Sequence, residues 1–312
     1  MQSITILGHT NQDTDATVAA IALKNLLIKG KIFQAQAKIS DPPNRETQFV
    51  LQTFKEKKPF FFKPPQKGKT RIFLVDFNEQ SQSPIDFKKA TILGLVDHHK
   101  LDITISTEAP IIFRVEPLGS SSTIVAKMYQ EYAVKMDKKI ASLLLAGIIS
   151  DTLKFSSPTT TNQDRRIAKS LSKYSQVSIT KLAKQMFEAK SDLTGIKPNQ
   201  IITTDYKEFR FGSKKTGIGV LETVNPQNAL TIKDDIIKAL AAHKKKQKLD
   251  LIYFGIVDIV QGYTLLFLIS DKEKQAAQKA FKNGRLEQDL LKLPKVVSRK
   301  KQIVPQFTQA LK

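Results

Sequence analysis

Two continuous apolar runs, each ending in an aspartate, most strongly constrain the fold of this chain. They are Arg71-Ile-Phe-Leu-Val-Asp76 and Thr91-Ile-Leu-Gly-Leu-Val-Asp97. Runs without polar alternation are typical of strands buried on both faces of a parallel sheet. Parallel strands require crossover connections, and a helical pattern extends from about Asp15 to Lys29. We therefore predict an α/β fold in which the N-terminal domain has a mainly parallel sheet flanked by helices.

The remaining patterns of the first half fit the same architecture. We predict strands at Ser3–Gly8 and Lys31–Ala37, and helices at about Ser121–Tyr132, Lys138–Ser150 and Asn162–Leu171. A polar segment with Gly and Pro then predicts a boundary, with a first domain at 1–188, a linker at 189–197 and a second domain at 198–312.

The second domain is predicted to be a smaller α/β domain with a mixed sheet. A hairpin joins Tyr206–Phe211 to Thr216–Val224, and a helix follows at about Pro226–Lys246. A second strand pair at Leu249–Val260 and Tyr263–Ser270 precedes a helix at roughly Lys272–Leu291 and a basic closing segment at Lys295–Pro305.

The amino-acid composition restricts the classes of function that this chain can have. The chain has 50 basic and 29 acidic residues, a net charge of +21, which attracts anions such as phosphates. It has no cysteine, which excludes thiol catalysis, iron–sulfur clusters and Cys-ligated zinc. No apolar run approaches the roughly 18 residues of a membrane span, and the N-terminus lacks a signal pattern. We expect a cytoplasmic protein without a membrane partner.

Histidines and aspartates follow the predicted strands. His9-Thr-Asn-Gln-Asp13-Thr-Asp15 follows the first strand, Asp76 and Asp97-His98-His99 end two others, and Asp151 follows an apolar helix. The carboxyl ends of parallel strands share one edge of a sheet, so these segments can converge on one cleft. Carboxylates can bridge two divalent cations, and a mixed Asp/His set suits Mn²⁺ or Co²⁺ better than Mg²⁺. Taken singly, each aspartate could equally be a turn or helix-capping residue.

These motifs together resemble a known family. His9-Thr-Asn-Gln-Asp-Thr-Asp-Ala16, Val75-Asp-Phe-Asn-Glu79, Asp97-His-His99, Ser150-Asp-Thr152 and Ser298-Arg-Lys-Lys-Gln-Ile-Val-Pro305 resemble the manganese-dependent (family II) inorganic pyrophosphatases of the DHH phosphoesterase superfamily. The resemblance runs in order from residue 3 to residue 305. It implies hydrolysis of pyrophosphate to two phosphates by in-line attack of a hydroxide bridging two Mn²⁺ ions. Additional Mg²⁺ would arrive with the substrate, and the chain would form a homodimer.

The resemblance also implies a role for each motif residue. One ion would be held by His9, Asp13, Asp76 and Asp151, and the other by Asp15, Asp76, His98 and Asp151. His99 would contact phosphate, Asp97 would orient the histidines, and Lys207, Arg299 and Lys300 would clamp the substrate. Gln12 and Phe77 depart from the usual Pro and His, and Ser120-Ser-Ser122 replaces a more usual Cys/Thr/Ala-type run. At this last site we expect only a helix start that favours an anion.

Other functions compete with this interpretation. A DHH-family exopolyphosphatase would use the same cationic residues. An oligonucleotide or cyclic-dinucleotide phosphodiesterase would suit the positive charge, but the chain has no Gly-Gly pair for the glycine-rich element of such relatives and no Trp. We therefore expect no nucleic-acid partner. A non-enzymatic basic binding module leaves the spacing of His9, Asp13 and Asp15 unexplained.

Overall fold

A computed structural model describes residues 3–64, 68–101 and 105–311 of the chain. The chain divides into two compact units, 1–189 and 190–312, each with its own sheet. Among the described residues, no helix has the length and apolar character needed to cross a membrane.

The sheet of the first unit has the order β3-β2-β1-β4-β5-β6, and its paired strands are parallel. The strands are β1 (Ile4–Leu7), β2 (Ala35–Ile39), β3 (Phe60–Phe61), β4 (Thr70–Val75), β5 (Ala90–Asp97) and β6 (Ile112–Val115). The predicted parallel N-terminal sheet is confirmed. Because β1, β4 and β5 are neighbours in the sheet, their carboxyl ends lie side by side.

Helices flank this sheet. They are α1 (Thr14–Lys29), α2 (Arg45–Thr53), α3 (Ser121–Glu131), α4 (Lys138–Asp151), α5 (Asn162–Ser175) and α6 (Ile179–Lys190). Asp13 caps α1, accepting a hydrogen bond from the Ala16 N–H. In α4 every residue from Ile140 to Ser150 is buried, which explains its continuous apolar pattern. The core of the unit includes residues of α1, α3 and α4, among them Leu23, Val125 and Leu144.

The strand predicted at Lys31–Ala37 is shifted in the structure to β2, Ala35–Ile39. Lys31 has a φ of 55°, in the left-handed region. The residues after α1 therefore form the turn that reverses the chain before the strand begins. The sequence patterns did not predict α2 or α6, because the apolar residues of these helices are spread among many polar ones.

The second unit has a mixed sheet of order β11-β12-β10-β9-β8-β7, in which β8 and β9 are parallel and the other described pairs are antiparallel. The strands are β7 (Asp205–Phe211), β8 (Lys214–Thr223), β9 (Leu251–Asp258), β10 (Tyr263–Phe267), β11 (Arg285–Glu287) and β12 (Leu290–Pro294). The helices are α7 (Pro198–Ile201), α8 (Gln227–Leu230), α9 (Lys233–Lys246), α10 (Asp271–Ala280) and α11 (Val304–Ala310). The predicted mixed sheet of this domain is confirmed.

Two helix predictions in this unit need correction. The helix expected at Lys272–Leu291 ends at Ala280 and is followed by β11 and β12. Asn283-Gly284 is a turn-forming pair, and Leu291 is buried where β12 pairs with β10. The helix expected at Pro226–Lys246 is divided into α8 and α9. The basic closing segment contains a π-helical turn at Arg299–Ile303 that leads into α11.

Candidate metal centre

Six predicted residues of the first unit converge at the carboxyl edge of its sheet. His9 follows β1, Asp76 follows β4, His98 follows β5, Asp13 and Asp15 stand at the start of α1, and Asp151 ends α4. We call these six the acid–histidine cluster. One ligand atom from each of Asp15, Asp76, His98 and Asp151 lies within 4.8 Å of the others, as do those of His9, Asp13 and Asp76. Asp76 belongs to both groups.

Asp76 faces two histidines with different oxygen atoms. Its Oδ1 lies 3.3 Å from Nε2 of His98, and its Oδ2 lies 3.7 Å from Nε2 of His9. The residue is 1% exposed and has a φ of 69°, a left-handed conformation that Asp adopts more readily than most residues. The hydroxyl of Ser121 donates to Oδ1 (2.8 Å), and the Asp76 N–H donates to the carbonyl of Val96 (2.9 Å). The carboxylate is therefore held with its two oxygens directed at two separate positions.

His98 presents a nitrogen that suits a cation. Its Nδ1 lies 3.0 Å from the carbonyl oxygen of Leu118, a contact that places the proton on Nδ1. Its Nε2 is buried and lies 3.2 Å from Oδ2 of Asp151 and 3.3 Å from Oδ1 of Asp76. Once this nitrogen has lost its proton, its lone pair and the neighbouring carboxylates can ligate a metal ion together.

The cluster concentrates negative charge in a buried place. Burial, followed by repulsion from Asp151 and Asp76, raises the pKa of Asp15 well above its usual range. Burial and the charge of Asp13 raise the pKa of Asp151 to about 7. Burial by itself lowers the pKa of His98, but the carboxylates of Asp151 and Asp76 outweigh it and raise that pKa to about 12. The site therefore binds protons strongly in place of cations, as expected for a set of metal ligands.

His9, like His98, has a raised pKa although it is buried. Burial lowers the pKa of its imidazole, but a hydrogen bond and the charge of Asp13, together with the charge of Asp76, raise it to about 9. Its Nδ1 lies 2.8 Å from the carbonyl oxygen of Thr10, so Nε2 is the nitrogen that faces the carboxylates. His9 and His98 thus both offer Nε2 to the cluster.

The N-terminus of α3 binds a carboxylate of the protein itself, the side chain of Asp15. The N–H groups of Ser121 and Ser122 donate to the carboxylate of Asp15, at 2.7 and 3.1 Å. The first N–H groups of a helix attract negative charge, which the sequence analysis expected here. The anion is the side chain of Asp15, so these serines orient a member of the acid–histidine cluster.

Asp97 fixes the two histidines of the Asp97-His98-His99 triplet. Its Oδ1 accepts from the N–H groups of His98 (2.7 Å) and His99 (3.1 Å) and lies 2.8 Å from Nδ1 of His99. Asn78 donates to its Oδ2 (2.6 Å). The hydrogen bond with Asp97 raises the pKa of His99, whose side chain is 51% exposed. His99 also lies within ligand distance of Asp76 and His98.

The two departures from the family motifs are buried beside the site. Gln12 accepts from the Ser40 N–H (3.1 Å), and its Nε2 has no hydrogen-bond partner among the described residues. Phe77 packs in a buried cluster with Leu74 and Ile85.

In the second unit, Arg299 is hydrogen-bonded to β7, the strand that carries Lys207. Arg299 donates through Nη2 to Oδ1 of Asp205 (2.7 Å) and through Nη1 to the Asp205 carbonyl oxygen. Asp205 and Lys207 are two residues apart on β7, so their side chains share one face of the strand. Lys207 is exposed, as is Lys300, which follows Arg299 in the π-helical turn.

Sequence reasoning missed Asp164, which supports His98 indirectly. Asp164 is fully buried and accepts from the N–H of Gly119 (2.9 Å) and from the hydroxyl of Thr123 (2.6 Å). It thereby fixes the turn that carries the Leu118 carbonyl bonded to His98. The sequence holds one signal for it, because Thr161-x-x-Asp164 forms a capping box at the start of α5.

The fold and the cluster define an α/β protein with a candidate dinuclear metal site. Comparison with known families agrees: the N-terminal domain of the DHH family matches residues 3–148, and the DHHA2 domain matches residues 184–310. A probable manganese-dependent inorganic pyrophosphatase of Bacillus velezensis is 38% identical over all of this chain and 99% of its own length. The manganese-dependent inorganic pyrophosphatase of Bacillus subtilis is 37% identical over the same shares. The chain therefore belongs to the manganese-dependent (family II) inorganic pyrophosphatases.

Solved structures show the same fold. The crystal structure of a putative family II inorganic pyrophosphatase from Methanococcus jannaschii is 32% identical, with a TM-score of 0.66 over 99% of both chains. An exopolyphosphatase-related protein from Bacteroides fragilis is 14% identical, with a TM-score of 0.51 over 99% of this chain and 91% of that one. At that identity, the second likeness concerns the fold alone.

Proposed function

We propose that this chain hydrolyses inorganic pyrophosphate to two phosphates at a dinuclear manganese centre. The observation that carries the proposal is the orientation of Asp76, whose two oxygens face Nε2 of His98 and Nε2 of His9. A carboxylate held in this way suits a bridge between two cations. The names of the full-length relatives support pyrophosphate as the substrate and manganese as the metal.

The ligand sets extend the two groups of the cluster, because the family resemblance adds Asp151 to the group of His9, Asp13 and Asp76. His9, Asp13, Asp76 and Asp151 would hold one ion, and Asp15, Asp76, His98 and Asp151 the other. Imidazole and carboxylate together suit Mn²⁺ or Co²⁺, whereas Mg²⁺ prefers oxygen ligands and would accompany the substrate. When bound, the two ions would act as Lewis acids and lower the pKa of a water molecule, which provides the nucleophile for in-line attack.

His99 is suited to contact a substrate phosphate. Asp97 holds its Nδ1, so Nε2 is the nitrogen that can meet a substrate, and the side chain is 51% exposed. The hydrogen bond with Asp97 raises the pKa of His99 and so favours the protonated imidazolium. The Nε2–H can then donate to a phosphate oxygen while the positive charge offsets the charge of the substrate.

The second domain would supply the remaining positive charge. Arg299 can bind phosphate oxygens through the N–H groups that its hydrogen bonds to Asp205 do not use, while Lys207 and Lys300 act as point charges. Together they would neutralise the charge that develops on the leaving phosphate. In this proposal residues 1–188 form the metal-binding catalytic domain, 189–197 the linker and 198–312 the substrate-binding domain. The homodimer and the cytoplasmic location stay predictions.

The proposal is tested by adding Mn²⁺ stepwise to the metal-stripped protein. Bound manganese is measured by equilibrium dialysis, and pyrophosphate hydrolysis is measured on the same samples. We expect two Mn²⁺ per chain and full activity only when both are bound. Full activity with one ion per chain, or with none, would contradict a dinuclear centre.

A further inference from the structure

Glu46 is a buried carboxylate outside the acid–histidine cluster. It lies in the first turn of α2 and is 1% exposed, whereas glutamates are seldom fully buried without partners. Its Oε2 accepts hydrogen bonds from the hydroxyls of Thr14 (3.0 Å) and Ser150 (2.7 Å). Those hydroxyls belong to two different helices, so one carboxylate oxygen connects α1 to α4.

The two hydroxyls stand next to cluster residues. Thr14 lies between Asp13 and Asp15 at the start of α1, and Ser150 directly precedes Asp151 at the end of α4. The contacts link residues that are 32 and 104 positions apart in the chain. Thr14 and Ser150 are both buried, which shields these hydrogen bonds from competing water. Glu46 therefore connects the two helix ends that together carry three of the six cluster residues.

A second contact keeps Thr14 in place. Its hydroxyl lies 3.0 Å from the hydroxyl of Thr47, the residue after Glu46 in α2. The N-terminus of α2 is itself fixed by Asn44, whose side chain accepts from the Thr47 N–H (2.8 Å). The first turn of α2 thus contacts the start of α1 through both Glu46 and Thr47.

We infer that Glu46 is a positioning residue of the metal centre, which sets the spacing between the Asp13–Asp15 pair and Asp151. The inference rests on the proposed function, because it takes these aspartates as metal ligands. Metal affinity depends on ligand positions to within about 0.5 Å, and residues that orient ligands typically change metal affinity by about 10–100-fold when replaced. A carboxyl group is suited to the task because one of its oxygens can accept both hydroxyl hydrogen bonds at once.

The test compares variants of the metal-stripped full chain by Mn²⁺ titration calorimetry. Glu46→Met removes the acceptor while keeping a side chain of similar length. We expect it to weaken Mn²⁺ binding by about 10–100-fold. Glu46→Gln keeps an acceptor oxygen and should recover most of the affinity. Unchanged affinity in Glu46→Met would overturn the inference.

A stability control separates positioning from general destabilisation. Val50 is buried on α2, one turn beyond Glu46, and contacts the apolar core. Val50→Ala should lower the unfolding midpoint of the metal-free protein yet leave Mn²⁺ affinity within about twofold of wild type. If Val50→Ala weakens Mn²⁺ binding as much as Glu46→Met does, Glu46 has only a structural role.

Two further measurements cover the cases in which Glu46→Met does not fold or the wild-type chain does not bind two Mn²⁺. If Glu46→Met does not fold, Ser150→Ala removes one of the two hydroxyls with little change in volume, and it should weaken Mn²⁺ binding several-fold. Wild-type affinity in Ser150→Ala would then overturn the inference. Failure of the wild-type chain to bind two Mn²⁺ would refute the proposed function instead, so the two failures are distinguishable.

Discussion

Replacing Asp15 by Asn should change the stability of the metal-free protein little and that of the manganese-loaded protein strongly. Asp15 is fully buried and accepts two backbone hydrogen bonds, from Ser121 and Ser122. It also lies within 4.8 Å of ligand atoms of Asp76 and Asp151. Its carboxylate is therefore held by α3 but repelled by its neighbours, and a bound cation would reverse that repulsion.

The magnitudes can be worked out from these contacts. Two unit charges separated by 4.8 Å repel by about 3.5 kcal/mol at an effective dielectric constant of about 20, and protonation of Asp15 or Asp151, whose pKa values are raised, relieves part of this repulsion. Asparagine removes this repulsion but keeps only one acceptor oxygen, which costs about 1.5–3 kcal/mol for a hydrogen bond to a charged group. The two effects nearly cancel. We expect the free energy of unfolding of the metal-free variant to lie within about 2 kcal/mol of wild type.

The manganese-loaded protein should lose much more. Each hundred-fold loss of Mn²⁺ affinity removes about 2.7 kcal/mol of the stability that the ion confers. Urea unfolding with and without Mn²⁺ measures both effects. Asp258→Asn is a matched control, because Asp258 is a buried carboxylate of the second unit that accepts from the N–H groups of Val260 (2.9 Å) and Gln261 (2.8 Å). It should lower stability equally with and without Mn²⁺. The same behaviour in Asp15→Asn would refute the reasoning.

Three further predictions concern activity and metal binding. Asp76→Asn and Asp151→Asn should each lower kcat by orders of magnitude in steady-state assays, and wild-type kcat in either would exclude its bridging role. Arg299→Ala should mainly raise KM for pyrophosphate, because the guanidinium would bind substrate; a change in Mn²⁺ affinity alone would contradict this. Because the pKa values of His98 (about 12) and Asp151 (about 7) are raised without metal, Mn²⁺ must displace protons. Calorimetry should therefore show Mn²⁺ affinity rising between pH 6 and 8, on the order of tenfold per pH unit for each proton released, whereas a flat profile would contradict proton displacement.

The sequence was sufficient to predict the sheet that positions the site. Asp76 and Asp97 end continuous apolar runs, and such runs form neighbouring parallel strands in the structure. Their position at the strand ends therefore predicts that their segments meet at one edge, as His9, Asp76 and His98 do. That these residues bind metal remains a prediction.

Contacts between distant segments could not be predicted in the same way. Glu46 bonds to Ser150 across 104 positions, and Arg299 bonds to Asp205 across 94. Local periodicity carries no signal for such pairs, because they depend on how the elements pack. The prediction of a helix through Leu291 was wrong for a related reason. The pairing of β12 with β10 is more favourable than a helix whose pattern is already interrupted at Gly284.

The most direct test of the proposed function is phosphate release by the metal-stripped chain after it is refilled with Mn²⁺. Pyrophosphate, tripolyphosphate and a dinucleotide are compared at equal concentration, with a metal-free sample of the same protein as the control. We predict fast, Mn²⁺-dependent hydrolysis of pyrophosphate and little release from the other two. Preferred hydrolysis of tripolyphosphate would indicate an exopolyphosphatase, and preferred hydrolysis of the dinucleotide would indicate a phosphodiesterase; either result would contradict a pyrophosphatase.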